Sequence, residues 1–380
     1  MNDVAVIGAG VFGAWTALRL ADDGARVTLI DAFGVANGRA SSADHSRVIR
    51  AGYGGDAIYS QWATESRRDW DWLANTTGRT LATTTGALFL GEPGNAYLRD
   101  TCSTLTALGL GAEWLSPSQL AARFPQIDLA GLGPGVLERD AGVIRARAAV
   151  RELVTVATTR SNLSYRTERI TPPDEQASSC VVHTIDGSRI EADAFVLACG
   201  PWLPQLLPQA VGARIRATRQ EVLYFGVPPG DRRHSVDTLP VWIDFAAGFY
   251  GVPDLDGHGF KVGIDRHGPP IDPDTADRIV SADCVETTRA WLVRRFPGLA
   301  AAPLVDSRVC QYENTSSGDF IIDRHPAWSN VWIAGGGSGH GFKHGPAVGR
   351  HVADLIAGRA TPEPRFALAD KTVMPSRIVY

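Results

Sequence analysis

Short apolar runs that end in glycine recur along the chain, and each predicts a buried parallel strand. Residues 4–7, VAVI, run into the sequence GAG, and residues 194–197 and 331–334 repeat this arrangement. Residues 11–21 follow the first glycine turn with apolar positions at helical spacing, and residues 26–30 form another apolar run. The chain therefore opens with a strand, a glycine turn, a helix and a second strand.

The glycine turn and the acid after the second strand predict dinucleotide binding. In the sequence GAGVFG, Gly8 allows the tight turn, Gly10 lets the backbone approach a pyrophosphate, and Gly13 lets the helix pack closely. The helix N-terminus adds free N–H groups and partial positive charge for the phosphates. Asp31 follows the second run and can accept hydrogen bonds from a ribose diol. NAD and FAD share these features, so this unit by itself leaves both open.

Two later points at which an apolar strand runs directly into glycine favour FAD, and each such point is called a glycine crossing below. One apolar run ends in Cys199 and Gly200, and the other continues into residues 335–337, GGG. Three crossings spread over the chain indicate a long cofactor that lies across one sheet. A separate NAD domain would need a second GxGxxG unit, and the sequence has none.

Alternating polar and apolar residues predict a second, antiparallel sheet. The alternation covers residues 220–225 and 249–262, with a turn at residues 254–257, DLDG. A helix is expected over residues 346–356, with Pro346 at its first position. We therefore expect an α/β protein with a Rossmann-type FAD-binding domain and an α+β substrate domain built on an antiparallel sheet.

At 380 residues the chain exceeds the size at which one core usually stops growing, so two domains are expected. The tail is expected to cross the surface or stay mobile, and Trp202 and Trp242 are expected in the core, although Trp242 could reach the substrate pocket. The expected FAD-binding domain comprises residues 1–81, 146–211 and 318–360, the substrate domain residues 82–145 and 212–317, and the tail residues 361–380.

Charge and cysteine spacing exclude several classes of protein. A net charge of −4 offers no general attraction to nucleic acid or an anionic membrane. No apolar run reaches the roughly 18 residues that span a bilayer. The cysteines are widely spaced without a CxxC pair, which is neither a disulfide framework nor a zinc site. We therefore expect a metal-free protein of the reducing cytoplasm, either a monomer or a weak homodimer.

Residues beyond the first glycine turn can carry chemistry. Arg47 and Arg50 lie three positions apart, so on a helix they would share one face and point at one anion. The alternative is a pair of solvated surface arginines. Cys310 is a nucleophilic thiol a short way before the glycine-rich segment that carries His340 and Lys343, and the alternative is a buried structural cysteine.

Several separated motifs share one family resemblance. They are SRVIRAGY at residues 46–53, CQY at 310–312, FIIDRHP at 320–326 and SGHGFK at 338–343. With these motifs the chain resembles the monomeric sarcosine oxidase branch of the D-amino-acid-oxidase-like flavoproteins, which includes N-methyltryptophan oxidase. The likeness runs from the first strand to the helix near residue 357.

The resemblance implies an FAD-dependent oxidase of a secondary or cyclic amino acid. A carboxylate-anchored amine would give a hydride to flavin N5 and become an imine. Oxygen would then reoxidise the flavin and form hydrogen peroxide. The implied partners are a small amine with a carboxylate and O2, without nucleic acid or membrane.

The resemblance also implies roles for particular side chains. Cys310 would bond covalently through sulfur to the 8α-methyl of FAD, and Arg47 would lie against the flavin. Arg50 and Lys343 would hold the substrate carboxylate, with Tyr250 and Tyr312 lining the pocket. The implied cofactor contacts are Gly8, Gly10, Val11, Phe12, Gly13, Asp31, Ser41, Ser42, Arg47, Cys199, Gly200, Cys310, Gly336, Gly337, Gly339, His340, Gly341 and Lys343.

Lys261 matches the lysine that the family places over the flavin. A cation there would stabilise the developing charge on oxygen. From the residues alone, a lysine at a strand edge in solvent would be the favoured interpretation.

Three departures from the family pattern bear on the substrate. Asp265 stands where the family has a histidine, Ala43 stands where the sarcosine enzymes have a histidine, and His344 stands where an aromatic residue is usual. A carboxylate near the pocket suits a substrate with a second cationic or hydroxyl-bearing group, which would make sarcosine a poor substrate. If Asp265 instead points to solvent, it has no such effect.

Other functions stay open at this point. The same fold serves dehydrogenases that pass electrons to a quinone or a carrier protein. Within the family, the substrate could be a glycated amino acid or a secondary-metabolite intermediate. A further alternative is a binding or assembly subunit of a multi-subunit amine oxidase.

Overall fold

The computed structural model describes residues 3–372, and the bounds of its elements follow. The strands are β1 Asp3–Ile7, β2 Arg26–Asp31, β3 Arg47–Ile49, β4 Ala82–Thr84, β5 Ala87–Leu90, β6 Ala112–Leu115, β7 Gly135–Glu138, β8 Gly142–Ile144, β9 Leu163–Thr167, β10 Val182–His183, β11 Arg189–Ile190, β12 Ala194–Leu197, β13 Arg216–Phe225, β14 Val241–Asp244, β15 Phe249–Val252, β16 Phe260–Ile264, β17 Leu304–Asn314, β18 Ile321–Arg324 and β19 Val331–Gly335. The helices are α1 Val11–Asp22, α2 Ala57–Thr77, α3 Ala96–Ala107, α4 Pro117–Arg123, α5 Ala146–Ala157, α6 Leu203–Leu206, α7 Ala282–Arg295 and α8 Gly345–Ile356.

A six-stranded sheet, in the order β18-β19-β12-β1-β2-β9, carries the three glycine crossings. Its strands pair in parallel except for β18, which is antiparallel to β19. Strands β1, β12 and β19 are neighbours, so the segments that follow their carboxyl ends meet at one edge. This edge is where ligands bind in open parallel sheets. The mixed α/β fold predicted from the pattern is confirmed.

Helix α1 is buried between the sheet and helix α8. Gly345 and Gly349 face α1, and a Cβ on Gly349 would lie 2.6 Å from the Trp15 carbonyl carbon. The two backbones therefore approach too closely for any larger residue there. Trp15 itself packs edge-to-face on Trp70 of α2, with ring centroids 5.3 Å apart.

The second sheet has eight strands in the order β17-β13-β16-β15-β14-β5-β7-β6. The pairing is antiparallel except for β14 and β5, which run in parallel. The predicted turn between β15 and β16 is present, with Asp256 at φ 59° and Gly257 at φ 72°. Strands β15 and β16 pair in antiparallel fashion across this turn, as the sequence predicts. Trp242 of β14 is fully buried and stacks on Trp291, so it belongs to this core.

The segment with the paired arginines is a strand, which corrects the helical spacing expected for it. Strand β3 pairs with β8 in a three-stranded sheet of order β3-β8-β4. Side chains alternate along a strand, so positions three apart point to opposite faces. Arg50 directly follows β3, and the contacts of the two arginines differ: Arg47 bonds Asp44 and lies beside Cys310, whereas Arg50 lies over the Tyr53 ring.

The first part of the expected tail packs on the protein. Arg365 donates to Asp56 at 2.9 and 2.7 Å and to Asp319 at 2.6 Å, and Phe366 is fully buried. Pro375 and the other residues of 373–380 lie outside the described residues. Between residues 3 and 372, none of the helices combines the length and apolar character required to cross a membrane.

Candidate active site

A cavity of 410 Å³ opens along the edge where the three glycine crossings meet. Gly8, Gly10 and Phe12 line it at the start of α1, residues 168–172 line it beyond β9, and Tyr312 lines it on β17. The α1 N-terminus therefore faces one long depression that connects the two large sheets.

The three glycines of the first turn have different reasons to be glycine. A Cβ on Gly13 would lie 1.8 Å from the Gly8 carbonyl oxygen, and a Cβ on Gly8 would lie 2.3 Å from the Ala198 carbonyl oxygen. Gly10 is different because its Cβ would meet only Ser42 Oγ at 3.6 Å, an ordinary contact. Packing requires Gly8 and Gly13, whereas the space beside Gly10 lies free in the cavity for a ligand.

Asp31 closes the turn at the carboxyl end of β2. Its two carboxylate oxygens accept hydrogen bonds from the backbone N–H groups of Ala9 and Phe33, both at 2.9 Å. Burial raises the pKa of Asp31, while those N–H groups act in the opposite direction. The side chain is held on the wall of the cavity, in the position that the dinucleotide motif requires.

Arg47 lines the cavity and lies beside Cys310, which is not part of the lining. Arg47 Nη2 lies 3.3 Å from Cys310 Sγ and donates to the Ser41 carbonyl oxygen at 2.8 Å. Arg47 Nη1 donates to Asp44 Oδ2 at 2.6 Å. The Cys310 thiol thus lies beside a guanidinium that Asp44 and the Ser41 carbonyl oxygen hold in place.

Lys261 is buried within the second sheet, with 2% of its surface exposed, so it is not a solvated edge lysine. Its Nζ lies 2.5 Å from Asp44 Oδ2 and donates to the Ser46 carbonyl oxygen at 2.8 Å. Tyr224 donates to Asp44 Oδ1 at 2.7 Å. Burial opposes the charge on Asp44, but Lys261 and Arg47 hold its pKa well below the ordinary value. Burial lowers the pKa of Lys261.

A second pair of buried cations flanks Tyr53. The Arg50 guanidinium carbon lies 4.5 Å from the Tyr53 ring centroid, and Lys343 Nζ lies 5.2 Å from the same centroid. Lys343 also donates to Tyr53 Oη at 2.7 Å and to the His340 carbonyl oxygen at 2.9 Å. Burial lowers the pKa of Lys343 well below its ordinary value, and the Arg50 charge lowers it further. Two desolvated cations this close favour the arrival of an anion.

Glu138 and His344 complete the surroundings of this cation pair. Glu138 is buried and accepts from the Ala51 and Gly52 N–H groups at 2.7 and 2.9 Å, and burial raises its pKa to about 6. His344 is fully buried with Nε2 2.8 Å from Tyr53 Oη. His344 therefore positions Tyr53, and the contact of His344 with the substrate that the sequence predicts stays a prediction.

Asp265 lies beside the two predicted pocket tyrosines, so it is not a solvent-facing residue. Its Oδ1 is 3.5 Å from Tyr312 Oη, and Tyr312 and Tyr250 hydrogen bond to each other. Burial raises the pKa of Asp265 to about 6, against the influence of Arg50, Tyr312 and Lys343. Burial also raises the pKa values of Tyr250 and Tyr312, so both remain neutral phenols.

The structure places the predicted site residues in two sets. Among residues 3–372, several predicted site residues do not line the 410 Å³ cavity. They are the substrate-binding candidates Arg50, Tyr250, His344 and Lys343, the catalytic candidates Lys261 and Asp265, and the cofactor candidates Gly13, Cys310, Gly336 and His340. The predicted residues that line it are Gly8, Gly10, Val11, Phe12, Asp31, Ser41, Ser42, Arg47, Cys199, Gly200, Tyr312, Gly337, Gly339 and Gly341.

Some cofactor candidates have other partners. His340 Nε2 lies 3.0 Å from the Gly318 carbonyl oxygen, and its ring stacks on Phe320. Gly336 has φ 67°, and its Cβ would lie 2.6 Å from the Thr315 side chain. Both residues pack against residues 315–320 and so support the glycine-rich segment. Trp202, expected in the core, instead lines the cavity and donates to Asp274 at 2.9 Å.

Asp44, Tyr53 and Glu138 were not predicted from the sequence as site residues. Asp44 and Tyr53 flank the SRVIR segment, so their place in the motif was the available signal. Glu138 is far from every motif, and the pairing of β7 with β5 brings it to the site. The cysteines of the described chain are free thiols, and residues 3–372 contain no cluster of acidic, histidine or cysteine side chains able to hold a metal ion.

The residues present fit FAD. The α1 N-terminus and the free space at Gly10 suit a pyrophosphate, and Asp31 suits a ribose. The cavity also reaches Arg47, whose guanidinium lies beside the Cys310 thiol.

The chain belongs to the FAD dependent oxidoreductase family, whose family model matches residues 3–355. It is 32% identical to the monomeric sarcosine oxidase of Streptomyces avermitilis over 95% of both chains. It is 32% identical to the peroxisomal sarcosine oxidase of Homo sapiens over 93% of this chain and 91% of that one. N-methyl-L-tryptophan oxidase of Salmonella heidelberg is 24% identical over 94% of this chain and 95% of the relative.

Solved structures share the fold at lower identity. L-proline dehydrogenase from P. horikoshii superimposes with a TM-score of 0.84 at 20% identity, covering 97% of this chain and 96% of the other. Amadoriase I, a fructosyl amine:oxygen oxidoreductase from Aspergillus fumigatus, gives a TM-score of 0.81 at 21% identity, covering 97% and 89%. The prediction of an FAD-binding domain with an antiparallel-sheet domain is confirmed.

Gly10 and Gly13 of the first turn provide a matched test, because Gly10 leaves space for the cofactor whereas Gly13 is required for packing. Gly13→Ala places a Cβ against a backbone oxygen, so we expect a loss of at least about 1–3 kcal/mol in unfolding free energy. Gly10→Ala should change the stability of the cofactor-free protein by less than about 1 kcal/mol. It should nevertheless lower the FAD content of the purified protein several-fold. Thermal unfolding and the flavin-to-protein absorbance ratio measure the two effects, and normal FAD content in Gly10→Ala would contradict the assignment.

Proposed function

We propose that this protein is an FAD-dependent oxidase of a secondary or cyclic amino acid. The observation that carries the proposal is the buried cation pair of Arg50 and Lys343 on either side of Tyr53. Burial lowers the pKa of Lys343, and Arg47, which lines the cofactor cavity, lies close enough for its charge to lower this pKa further. The similarity to sarcosine and N-methyl-L-tryptophan oxidases supports the same reaction class.

The cation pair favours a carboxylate as the group that anchors the substrate. Arg50 offers a planar fork of donors, and Lys343 offers a point charge. Both are desolvated, so each forms a stronger bond to an anion than a surface cation would. Both carboxylate oxygens of Glu138 accept hydrogen bonds from backbone N–H groups, so the Arg50 guanidinium remains able to bind a substrate carboxylate. The anchored substrate would present its amine toward Tyr250 and Tyr312.

FAD, when bound, supplies the acceptor for the hydride of the C–H bond beside the amine and passes the electrons to oxygen. The neutral phenols of Tyr250 and Tyr312 can hold the amine by hydrogen bonds and exclude water from it. The substrate leaves as an imine, which water hydrolyses unless it is cyclic. Lys261 provides the buried positive charge that the reduction of oxygen requires.

The first test is anaerobic reduction of the flavin by a panel of amines. The panel contains sarcosine, N-methyltryptophan, pipecolate, proline and a fructosyl amino acid. Rapid bleaching of the flavin by one of the first four, with recovery in air and formation of peroxide, is the expected result. If only the fructosyl amino acid bleaches the flavin, the enzyme oxidises glycated amino acids instead. If no carboxylated amine bleaches it, the proposal is wrong.

A dehydrogenase is the second candidate, and one contact favours it. Asp44 Oδ2 lies 2.5 Å from Lys261 Nζ and therefore compensates the charge proposed to assist oxygen reduction. In that case bleaching by substrate would be rapid but recovery in air slow, and a quinone would restore the colour. The rate of recovery in air thus decides between the two candidates.

The bond between Cys310 and FAD is part of the proposal. The thiol lies beside the Arg47 guanidinium, and its sulfur would replace one hydrogen of the flavin 8α-methyl group. The sulfur and the methyl group would each lose a proton, the flavin would take up the two electrons, and oxygen would reoxidise it. Acid precipitation should leave the flavin on the wild-type protein and release it from Cys310→Ser. Cys199→Ser is the matched control, because Cys199 lines the cofactor cavity and its replacement should leave the flavin bound. Release of the flavin from wild type would refute the covalent link.

Asp265 is proposed to select substrates with a second cationic group. Burial raises its pKa to about 6, so its carboxylate becomes charged as the pH rises through that value. The ratio of kcat/KM for N-methyllysine to that for N-methylnorleucine should therefore rise about 10-fold or more across this range. Asp265→Asn should abolish the rise, and Asp265→His should lower the ratio at each pH because it brings no negative charge. A pH-independent ratio in wild type, or the same ratio in Asp265→His, would exclude this role.

A further inference from the structure

Glu313 is a buried acid in the cofactor cavity that the proposed reaction does not use. It lies on β17, three residues after Cys310, and 9% of its surface is exposed. It lines the cavity, and its Oε2 has no hydrogen-bond partner among residues 3–372. A buried carboxyl oxygen without a partner costs about 1–3 kcal/mol. This oxygen therefore indicates a polar ligand that the protein itself does not supply.

Two glycines make room for this carboxyl group. A Cβ on Gly200 would lie 3.2 Å from Glu313 Oε2, and a Cβ on Gly337 would lie 3.0 Å from Oε1. These glycines follow β12 and β19, the two neighbouring strands that end beside β1. Glu313 thus lies between two of the three glycine crossings, in the same cavity as the first turn and Arg47.

The groups around Glu313 leave its charge uncompensated. Burial raises its pKa to about 7, and the Gly337 backbone N–H is the group that opposes this shift. The neighbouring titratable groups are acids: Cys199, whose pKa is raised by burial and by Asp31 and Glu313, and Tyr312 on the same strand. Ala217 of β13 faces it across the sheet. Among the described residues, no cation stabilises its ionised form.

We propose that Glu313 is a cofactor-binding residue that hydrogen bonds a polar group of FAD through Oε2. The carboxylate accepts a hydrogen bond from a ring N–H or from a hydroxyl of the polyol chain, since FAD carries both donors in this part of the molecule. The inference rests on FAD binding, which membership of the family shows, and it does not depend on the amine that the enzyme oxidises.

Because of this hydrogen bond, the visible absorption of the flavin should change when Glu313 ionises. Oxidised flavin has no group of its own that titrates near neutral pH. The visible spectrum of the oxidised enzyme should therefore show a one-proton step caused by the change of charge at Glu313. The step should lie below about 7, the pKa that burial gives this carboxyl group, because a hydrogen bond donated by FAD stabilises the carboxylate. The step should be absent from Glu313→Gln. Asp265→Asn is the control, because Asp265 titrates nearby but should leave the step in place.

The strength of the bond is measured with cofactor that can dissociate. In the Cys310→Ser background, Glu313→Gln should weaken FAD binding about 10-fold, the effect of one lost hydrogen bond to a charged group. FAD methylated at N3 and FAD lacking a polyol hydroxyl test the two donors with Glu313 intact. Whichever analogue binds about 10-fold more weakly identifies the donor, and this result does not depend on the folding of a variant.

The proposal is overturned if the spectral step persists in Glu313→Gln. It is equally overturned if both analogues bind the Cys310→Ser protein as tightly as FAD does. Failure here leaves the amine oxidase proposal untouched, because anaerobic bleaching by an amine tests that proposal separately.

Discussion

Reoxidation of the reduced flavin by air is expected to slow by about 10²–10³-fold when Lys261 is replaced by methionine. Lys261 is the cation buried in the second sheet, where a positive charge stabilises the charge that develops on oxygen. Methionine fills a similar volume without the charge. Asp44 would keep Arg47 and Tyr224 as partners, so the loss should concern the cation rather than the fold.

Stopped-flow measurement of the two half-reactions tests this expectation. Anaerobic reduction by the substrate should change by less than about 10-fold, while the second-order rate constant with oxygen falls. Lys371→Met is a matched control, since Lys371 is also buried but bonds Ser317 near the end of the described chain. A rate constant with oxygen close to wild type in Lys261→Met would contradict the role of Lys261.

The second large effect is expected at Arg50. Arg50→Met removes one of the two buried cations beside Tyr53 and leaves the substrate carboxylate without its guanidinium partner. Loss of one partner of such a buried pair of opposite charges costs about 2–5 kcal/mol. We therefore expect kcat/KM for the carboxylated amine to fall by about 10²-fold or more. Arg50→Lys keeps the charge but not the planar fork, so its loss should be smaller.

An amine without a carboxylate separates binding from structural damage. For methylamine-type substrates of the same size, wild type and Arg50→Met should have similar, low kcat/KM values. Arg359→Met controls for removal of an arginine, because Arg359 is half-exposed and pairs with Asp23 at the surface. If Arg50→Met loses activity equally with and without the carboxylate, Arg50 does not bind that group.

The arginine motif shows where reasoning from sequence is insufficient. The family pattern singles out Arg47 and Arg50, but helical spacing predicts that they point at one anion. The chain is extended there, so one arginine contacts Cys310 and Asp44 while the other contacts Tyr53. Local spacing cannot decide between helix and strand for three residues, because the pairing partner β8 lies nearly 100 positions away.

The sequence also did not reveal which charged residues are buried. A lysine in a strand is normally solvated, and Lys261 is buried because Asp44 from a distant loop pairs with it. Glu138 and Glu313 are ordinary surface residues by type. Strand pairing places them in the site, where loss of water raises their pKa values.

The sequence by itself determined the parallel-sheet unit, the glycine turn with Asp31, the antiparallel sheet and the FAD family. These features follow from short-range patterns: the period of apolar positions, the need for glycine where backbones approach, and motifs that keep their spacing. The tertiary structure alone decided which charges face each other, how Asp44 joins Lys261 to Arg47, and that Glu313 has an unpaired oxygen in the cofactor cavity. Those properties depend on distances between segments far apart in the chain and on the exclusion of water, and no local pattern encodes either.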